Sequence, residues 1–208
     1  MNPKQIENKY YKKLCEVFAE CYSGAVEKYS TTMKDASLDD NNKYYVYNYD
    51  KYDMVALKLD DVSRLFSKEH LGYAPSAVDA VCIDSDNNWF LIEFKNSQFS
   101  GNTIQSIKKK MLSSLWFLLY TYSITENISH ITENLSNNDI VKFAREHITY
   151  IVVCSYDKNV SIANNIHNAE ATNEHYTPKE LKPYVNYYFK DVYLYTQQEL
   201  RKFIVNFK

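Results

Sequence analysis

The segment Trp89-Phe-Leu-Ile-Glu-Phe-Lys95 carries the residues best suited to chemistry in this chain. Read as a β-strand, it alternates its side chains between two faces, so Trp89, Leu91, Glu93 and Lys95 share one face and Phe90, Ile92 and Phe94 the other. A second β-patterned run, Ala77 to Asp84, precedes it, and the intervening Ser85-Asp86-Asn87-Asn88 is turn chemistry. A turn centred on Asp86 pairs residues whose numbers sum to 172, which sets Ile83 opposite Trp89 and Asp79 opposite Glu93. Two carboxylates then stand side by side, repelling one another and losing hydration as the sheet is covered. A divalent cation is the simplest group to offset that cost. Mg²⁺ takes oxygen ligands in octahedral geometry and keeps waters, so two carboxylates and a backbone carbonyl leave positions for water and a substrate phosphate. Lys95 puts an ammonium on the same face, where it can orient or help deprotonate an attacking water and counter charge in the transition state. In outline this is a site for metal-dependent hydrolysis of a phosphodiester.

The elements that must hold these residues follow from apolar periodicity. Residues 3 to 28 set Ile6, Tyr10, Leu14, Val17, Phe18, Cys21 and Ala25 on one face at helical spacing, predicting a long amphipathic helix. A polar stretch from Ser30 to Asn42 comes next, then two strand-like segments at Tyr44 to Tyr47 and Val55 to Leu59. Asp60 is placed to cap a short helix carrying Val62, Leu65 and Phe66, and Gly72 and Pro75 mark the loop behind it. Beyond the hairpin, a helix over residues 103–122 buries Ile104, Ile107, Met111, Leu115, Leu118, Leu119 and Tyr122, a length that suits a crossover above a sheet. The strand it leads to is the β-branched run Ile148 to Cys154, reached after a helix starting near Asn138. Between them Ile124-Thr-Glu-Asn-Ile-Ser-His is nearly repeated as Ile131-Thr-Glu-Asn-Leu-Ser-Asn, which reads as helical turns added by local duplication. Ser155 to Thr177 reads as a loop with a short helix, Tyr187 to Tyr195 as a strand, and Thr196-Gln-Gln-Glu199 as a capping box opening a terminal helix. No linker divides the chain. The expectation is one α/β domain over residues 1–208, built on a mixed sheet.

Asp79, Glu93, Phe94 and Lys95, set in Ala77-Val-Asp-Ala-Val-Cys-Ile-Asp and Phe90-Leu-Ile-Glu-Phe-Lys-Asn, resemble the D-xn-E-x-K signature of the PD-(D/E)xK nuclease superfamily, the restriction-endonuclease-like fold. The order of elements from residue 3 to residue 154 is also similar to that family's αβββαβ core, with a C-terminal strand and helix added. The resemblance implies that Asp79 and Glu93 bind Mg²⁺, or Mn²⁺ in its place, that the carbonyl of Phe94 completes the metal site, and that Lys95 is catalytic. It implies nucleic acid as partner and substrate, DNA ahead of RNA. Val78 stands where the name-giving proline precedes the aspartate. Many members draw a further acid from the first helix; Glu7 and Glu20 are the candidates here, and neither sits in a matching motif.

In the crossover helix Lys108 falls closer to the centre of the apolar face than Lys109 or Lys110, which point outward. Lys108 then either reaches a scissile phosphate or lays its aliphatic stem along the core with its ammonium in water. Other chemistries find no support. The five histidines, His70, His130, His147, His167 and His175, lack paired metal-ligand spacing; three glycines cannot furnish a phosphate-cradling loop; and no G-x-S-x-G is present. The 20 tyrosines, dispersed through strands and helices, read as half-buried packing residues.

A net charge of -2 supplies no overall positive field, so binding a polyanion falls to a local patch or a metal ion. Two alternatives stand beside the nuclease: a nuclease-like module that binds nucleic acid or protein without cutting, and, supported by the near-neutral charge, an α/β interaction protein such as an antitoxin or immunity factor. Cys15, Cys21, Cys82 and Cys154 form no C-x-x-C pair and sit among apolar neighbours, as reduced core cysteines do. The chain opens Met-Asn-Pro-Lys without an apolar segment, and its longest apolar run, Leu115 to Tyr120, is too short for a bilayer. These features predict a cytoplasmic protein with no membrane partner, and nothing in them indicates a homo-oligomer.

Overall fold

Strand and helix patterning resolves into a mixed sheet with helices on both faces. The computed structural model describes residues 4, 8–21, 29–41, 43–66, 73–124 and 140–208. Within them, α1 (Lys9–Cys21) leads to β1 (Ser30–Thr32), α2 (Met33–Ala36), β2 (Leu38–Asp39), β3 (Tyr44–Tyr45), β4 (Val55–Leu57) and α3 (Leu59–Phe66). The hairpin β5 (Ala80–Ile83) and β6 (Trp89–Lys95) follows, then α4 (Gly101–Ile124), α5 (Ile140–His147), β7 (Ile148–Cys154), α6 (Val160–Ala171), β8 (Asp191–Tyr195) and α7 (Gln197–Asn206). Six strands form one sheet in the order β1-β4-β5-β6-β7-β8. Pairing is antiparallel from β1 to β6 and parallel from β6 to β8.

The parallel step from β6 to β7 requires a crossover, and α4, 24 residues long, opens that connection. β5 and β7 are buried on both faces along their whole length, matching the apolar run Ala-Val-Cys-Ile and the β-branched and apolar run Ile-Thr-Tyr-Ile-Val-Val-Cys, whose one hydroxyl-bearing β-branched residue, Thr149, is buried with the rest. Register places Leu91 beside Tyr150 and Glu93 beside Val152, so these four share one face. On that face Trp89 meets Phe143 of α5 edge-on, and α1 packs on α4 through Phe18 and Phe117. On the opposite face Phe90 takes Phe203 of α7 and Phe207 just beyond it. Asn8 begins α1: its side-chain oxygen accepts from Tyr11 N–H at 2.9 Å while its amide donates to the Ile83 carbonyl, tying the helix to the end of β5.

Several expectations need correction. Ser30–Thr32, read as part of a polar stretch, is an edge strand paired with β4. Tyr44–Tyr45 lies outside the main sheet and pairs with Leu38–Asp39. Asp60 is not the cap of α3 but lies in its first turn, where its charge suits the helix dipole, and it holds Arg64 at 2.5 Å. The region read as mostly loop contains the twelve-residue α6, whose buried residues are only Ala163 and Ile166, too few to mark a period in the sequence. β8 starts at Asp191 rather than Tyr187, which is 66% exposed beside Asn186 at φ 58°. The capping box of Thr196 and Glu199 forms as read. The first helix is described only over α1, and the near-repeat beyond Ile124, with the predicted helix start near Asn138, lies outside the described residues.

One buried hydrogen bond fixes the helix to the strand that precedes the site. Val78 N–H donates to Ser114 Oγ of α4 at 2.9 Å, and both residues are fully buried. Ser114→Ala leaves that N–H unsatisfied and should cost about 1–3 kcal/mol in urea unfolding. A loss below about 0.5 kcal/mol would mean that Val78 finds another acceptor and that this bond does not set the strand's position.

Candidate active site

The hairpin adopts the register in which residue numbers sum to 172: Ile83 pairs with Trp89 and Ala80 with Ile92. Asp79 stands one step beyond the last pair. Its Oδ2 accepts the Phe94 backbone N–H at 2.7 Å, which fixes the carboxylate against β6. Glu93 projects from the middle of β6 and is fully buried. Lys95, one pleat along, brings Nζ to 2.6 Å from Glu93 Oε1, an ion pair not aligned as a hydrogen bond, since Oε1 has no hydrogen-bond donor. Lys110 reaches down from α4, with Nζ 2.8 Å from Glu93 Oε2 and 3.1 Å from Asp79 Oδ1. Asp79 and Glu93 therefore share a single ammonium.

Lys110 is the residue that sequence reasoning missed; Lys108, the lysine it named, takes a different place. Lys108 lies over the Tyr184 ring at 6.0 Å, while the ion pairs of the two carboxylates are made by Lys95 and Lys110. Counting only apolar residues centred the buried face of α4 too near Lys108. The real buried face includes the polar Ser114 and Thr121 together with Ile107 and Phe117, all at most 1% exposed. Including them turns the face by roughly half a right angle, bringing Lys110 in and leaving Lys108 at the edge. A lysine three residues after Ile107 and four before Ser114 was the available signal. Glu7 lies outside the described residues, as does the side chain of Glu20.

Burial dominates the electrostatics. It pushes the Glu93 carboxyl up from 4.5 to about 7, with the neighbouring Asp79 charge adding to the rise and Lys110 and Lys95 pulling against it. Burial presses the Lys110 ammonium down, but the charges of Glu93 and Asp79 outweigh it and hold the group above its ordinary range. Tyr150, on the same face, is driven well above its ordinary value by burial and then by both carboxylates, so its phenol keeps its proton. That hydroxyl is a second buried polar group without a hydrogen-bond partner.

The donor set suits a hard cation. Lys95 C=O accepts from Ser155 N–H at 3.0 Å, on the β7 side of the strand. Carbonyls alternate between the edges of a strand, so the Phe94 carbonyl points to the other edge, where Asp79 sits. Asp79, Glu93 and this carbonyl thus meet at one edge, with Glu93 Oε1 facing the Lys95 ammonium. Among the described residues no group of three or more His, Cys, Asp and Glu is placed to hold a metal, so any such ion would depend on the backbone oxygen and solvent. A cavity of about 510 Å³, lined by Phe90, His175, Tyr193, Tyr195 and Phe203 among others, opens on the opposite sheet face and includes none of these groups.

Comparison of the chain with protein-family models, curated proteins and solved structures finds no match. Among the described residues no helix is long and apolar enough to cross a membrane.

The raised Glu93 value sets a pH dependence. The folded state holds this proton to higher pH than the unfolded chain, so stability is greatest with Glu93 protonated and is lost as pH climbs from about 4.5 to about 7. Glu93→Gln imitates the protonated form. Its melting temperature in chelator, relative to wild type, should rise across that window by the equivalent of at most a few kcal/mol. A difference that is flat with pH, or that falls, would mean that the carboxylate is stabilised rather than strained by its surroundings.

Proposed function

We propose that the chain is a divalent-metal-dependent phosphodiesterase of the PD-(D/E)xK nuclease type, acting on nucleic acid, with DNA ahead of RNA on the strength of the resemblance. The observation that carries this reading is the meeting of Asp79, Glu93 and the Phe94 carbonyl at one strand edge with Lys95 on the same pleated face. The element order supports it: α1, antiparallel β4, β5 and β6, the α4 crossover and parallel β7 follow the αβββαβ sequence of a restriction-endonuclease-like core, with β8 and α7 added. Buried free Cys15, Cys82 and Cys154 support a reducing, cytoplasmic setting.

Mg²⁺ or Mn²⁺ held by these oxygens would supply Lewis-acid polarisation of the phosphodiester. The chain's own residues do the rest. The Phe94 N–H holds Asp79 in place, burial keeps bulk water from Glu93, and Lys95 offers an ammonium that can exchange a proton with an attacking water. One observation favours a second reading, a nuclease-like module that binds without cutting: Lys110, shared by both carboxylates, and Lys95 together already balance their charge.

Digestion of single- and double-stranded DNA and RNA with Mg²⁺, Mn²⁺ or chelator separates the two. The nuclease should cut with metal and stop in chelator, and Lys95→Ala should lower the rate by about 10²–10⁴-fold while Mn²⁺ still binds in calorimetry. Wild-type protein that cuts no substrate and binds no Mn²⁺ would end the nuclease reading and leave the binding module.

A further inference from the structure

We infer that the Lys110 ammonium and a divalent cation compete for one position between Asp79 and Glu93, so that Lys110 must withdraw before a metal can bind. The inference rests on the metal-dependent reading above and adds to it a residue of this chain that controls entry of the ion.

Geometry carries it first. Nζ lies 3.1 Å from Asp79 Oδ1 and 2.8 Å from Glu93 Oε2, one oxygen from each carboxylate. An ion held by the same two oxygens would need the space that Nζ fills. The remaining oxygens are already engaged, Asp79 Oδ2 by the Phe94 N–H and Glu93 Oε1 by Lys95, so the bridge between the two carboxylates is the position that Nζ fills.

Charge makes the exclusion strict. Asp79, Glu93, Lys95 and Lys110 together sum to zero with all four ionised. A divalent ion added with Lys110 in place would leave two uncompensated positive charges around a carboxylate that is fully buried. With Lys110 withdrawn the excess falls to one, which the single negative charge of a phosphodiester cancels. Lys110 is placed to make room. Glu93 is fully enclosed, whereas the Lys110 side chain is 20% exposed and its flexible stem can carry the ammonium toward solvent.

The same contacts would also suit a lysine that permanently replaces a metal, and binding of Mn²⁺ alone to the full chain distinguishes the two roles. Apparent affinity falls with the fraction of molecules whose site is open, so a site plugged nine times in ten binds about tenfold more weakly than an open one. Lys110→Met and Lys110→Gln should therefore bind Mn²⁺ at least about tenfold more tightly than wild type in calorimetry or by electron paramagnetic resonance. Each should melt below wild type in chelator and recover with Mn²⁺ by a larger shift than wild type shows, a recovery that a merely structural lysine would not produce. Lys110→Arg, which keeps the competing cation, should bind as weakly as wild type, and adding Asp79→Asn to Lys110→Met should abolish the gain. If Lys110→Met fails to fold, the Gln and Arg variants carry the comparison. Equal Mn²⁺ affinity in wild type and the neutral variants overturns the competition and leaves the metal reading standing, and weaker binding in the variants also overturns it. Absence of Mn²⁺ binding in all of them ends the metal reading and the inference together.

Discussion

A carboxylate with no access to water, set beside a second carboxylate, constrains everything around it. Glu93 is fully buried and Asp79 stands next to it on the neighbouring chain segment. Neither burial nor like charge favours ionisation, and the two together lift Glu93 to about 7 in spite of two lysines. A protein has three remedies: keep a proton, supply a cation of its own, or recruit one from solution. This chain has the first two at hand, in the raised Glu93 value and in Lys110, and its oxygen donors suit the third.

The fold serves that cluster by fixing its members from independent directions. The hairpin sets Asp79 and Glu93 by register, the Phe94 N–H orients Asp79, and Ser114 secures the residue before it to α4. The same helix delivers Lys110. Helix and strand therefore cannot slide past one another without breaking a buried hydrogen bond and an ion pair at once. Coupling of this kind favours a single register, because a slip of one residue in β6 would turn Glu93 and Lys95 to the opposite face.

What the sequence made legible was local. Strict alternation and a four-residue turn were enough to place Asp79, Glu93 and Lys95 together, because hairpin pairing depends on nearby residues alone. β7 and the capping box at Thr196 were equally plain, one from continuous β-branched residues and the other from a fixed spacing. Contacts that depend on how layers pack were not legible. β1 is a three-residue edge strand in a polar stretch, and α6 buries only two residues, so neither leaves a periodic trace. Lys110 was missed for the same reason in sharper form. A lysine on a buried face looks like an error of phase until the two carboxylates beneath it are known.

Lys110 also changes what the opposed carboxylates imply. Read from sequence, their repulsion pointed to a metal because one cation, Lys95, was in view on that face against two carboxylates. With the Lys110 ammonium shared between them and Lys95 beside Glu93, neutrality no longer requires an ion, and the pair alone does not distinguish a metal site from a buried salt-bridge cluster. The distinction moves to features that a purely structural cluster would not need. A buried ion pair kept for stability has its remaining lone pairs satisfied, since each unsatisfied one adds cost. Here the Tyr150 hydroxyl is left without a hydrogen bond on the same face, Glu93 Oε1 meets only the Lys95 ammonium at 2.6 Å, and the strand turns a backbone carbonyl toward the edge where Asp79 sits. A cluster balanced in charge that still leaves a buried hydroxyl unpaired departs from a salt bridge kept for stability alone, and the proposed metal site would account for that departure.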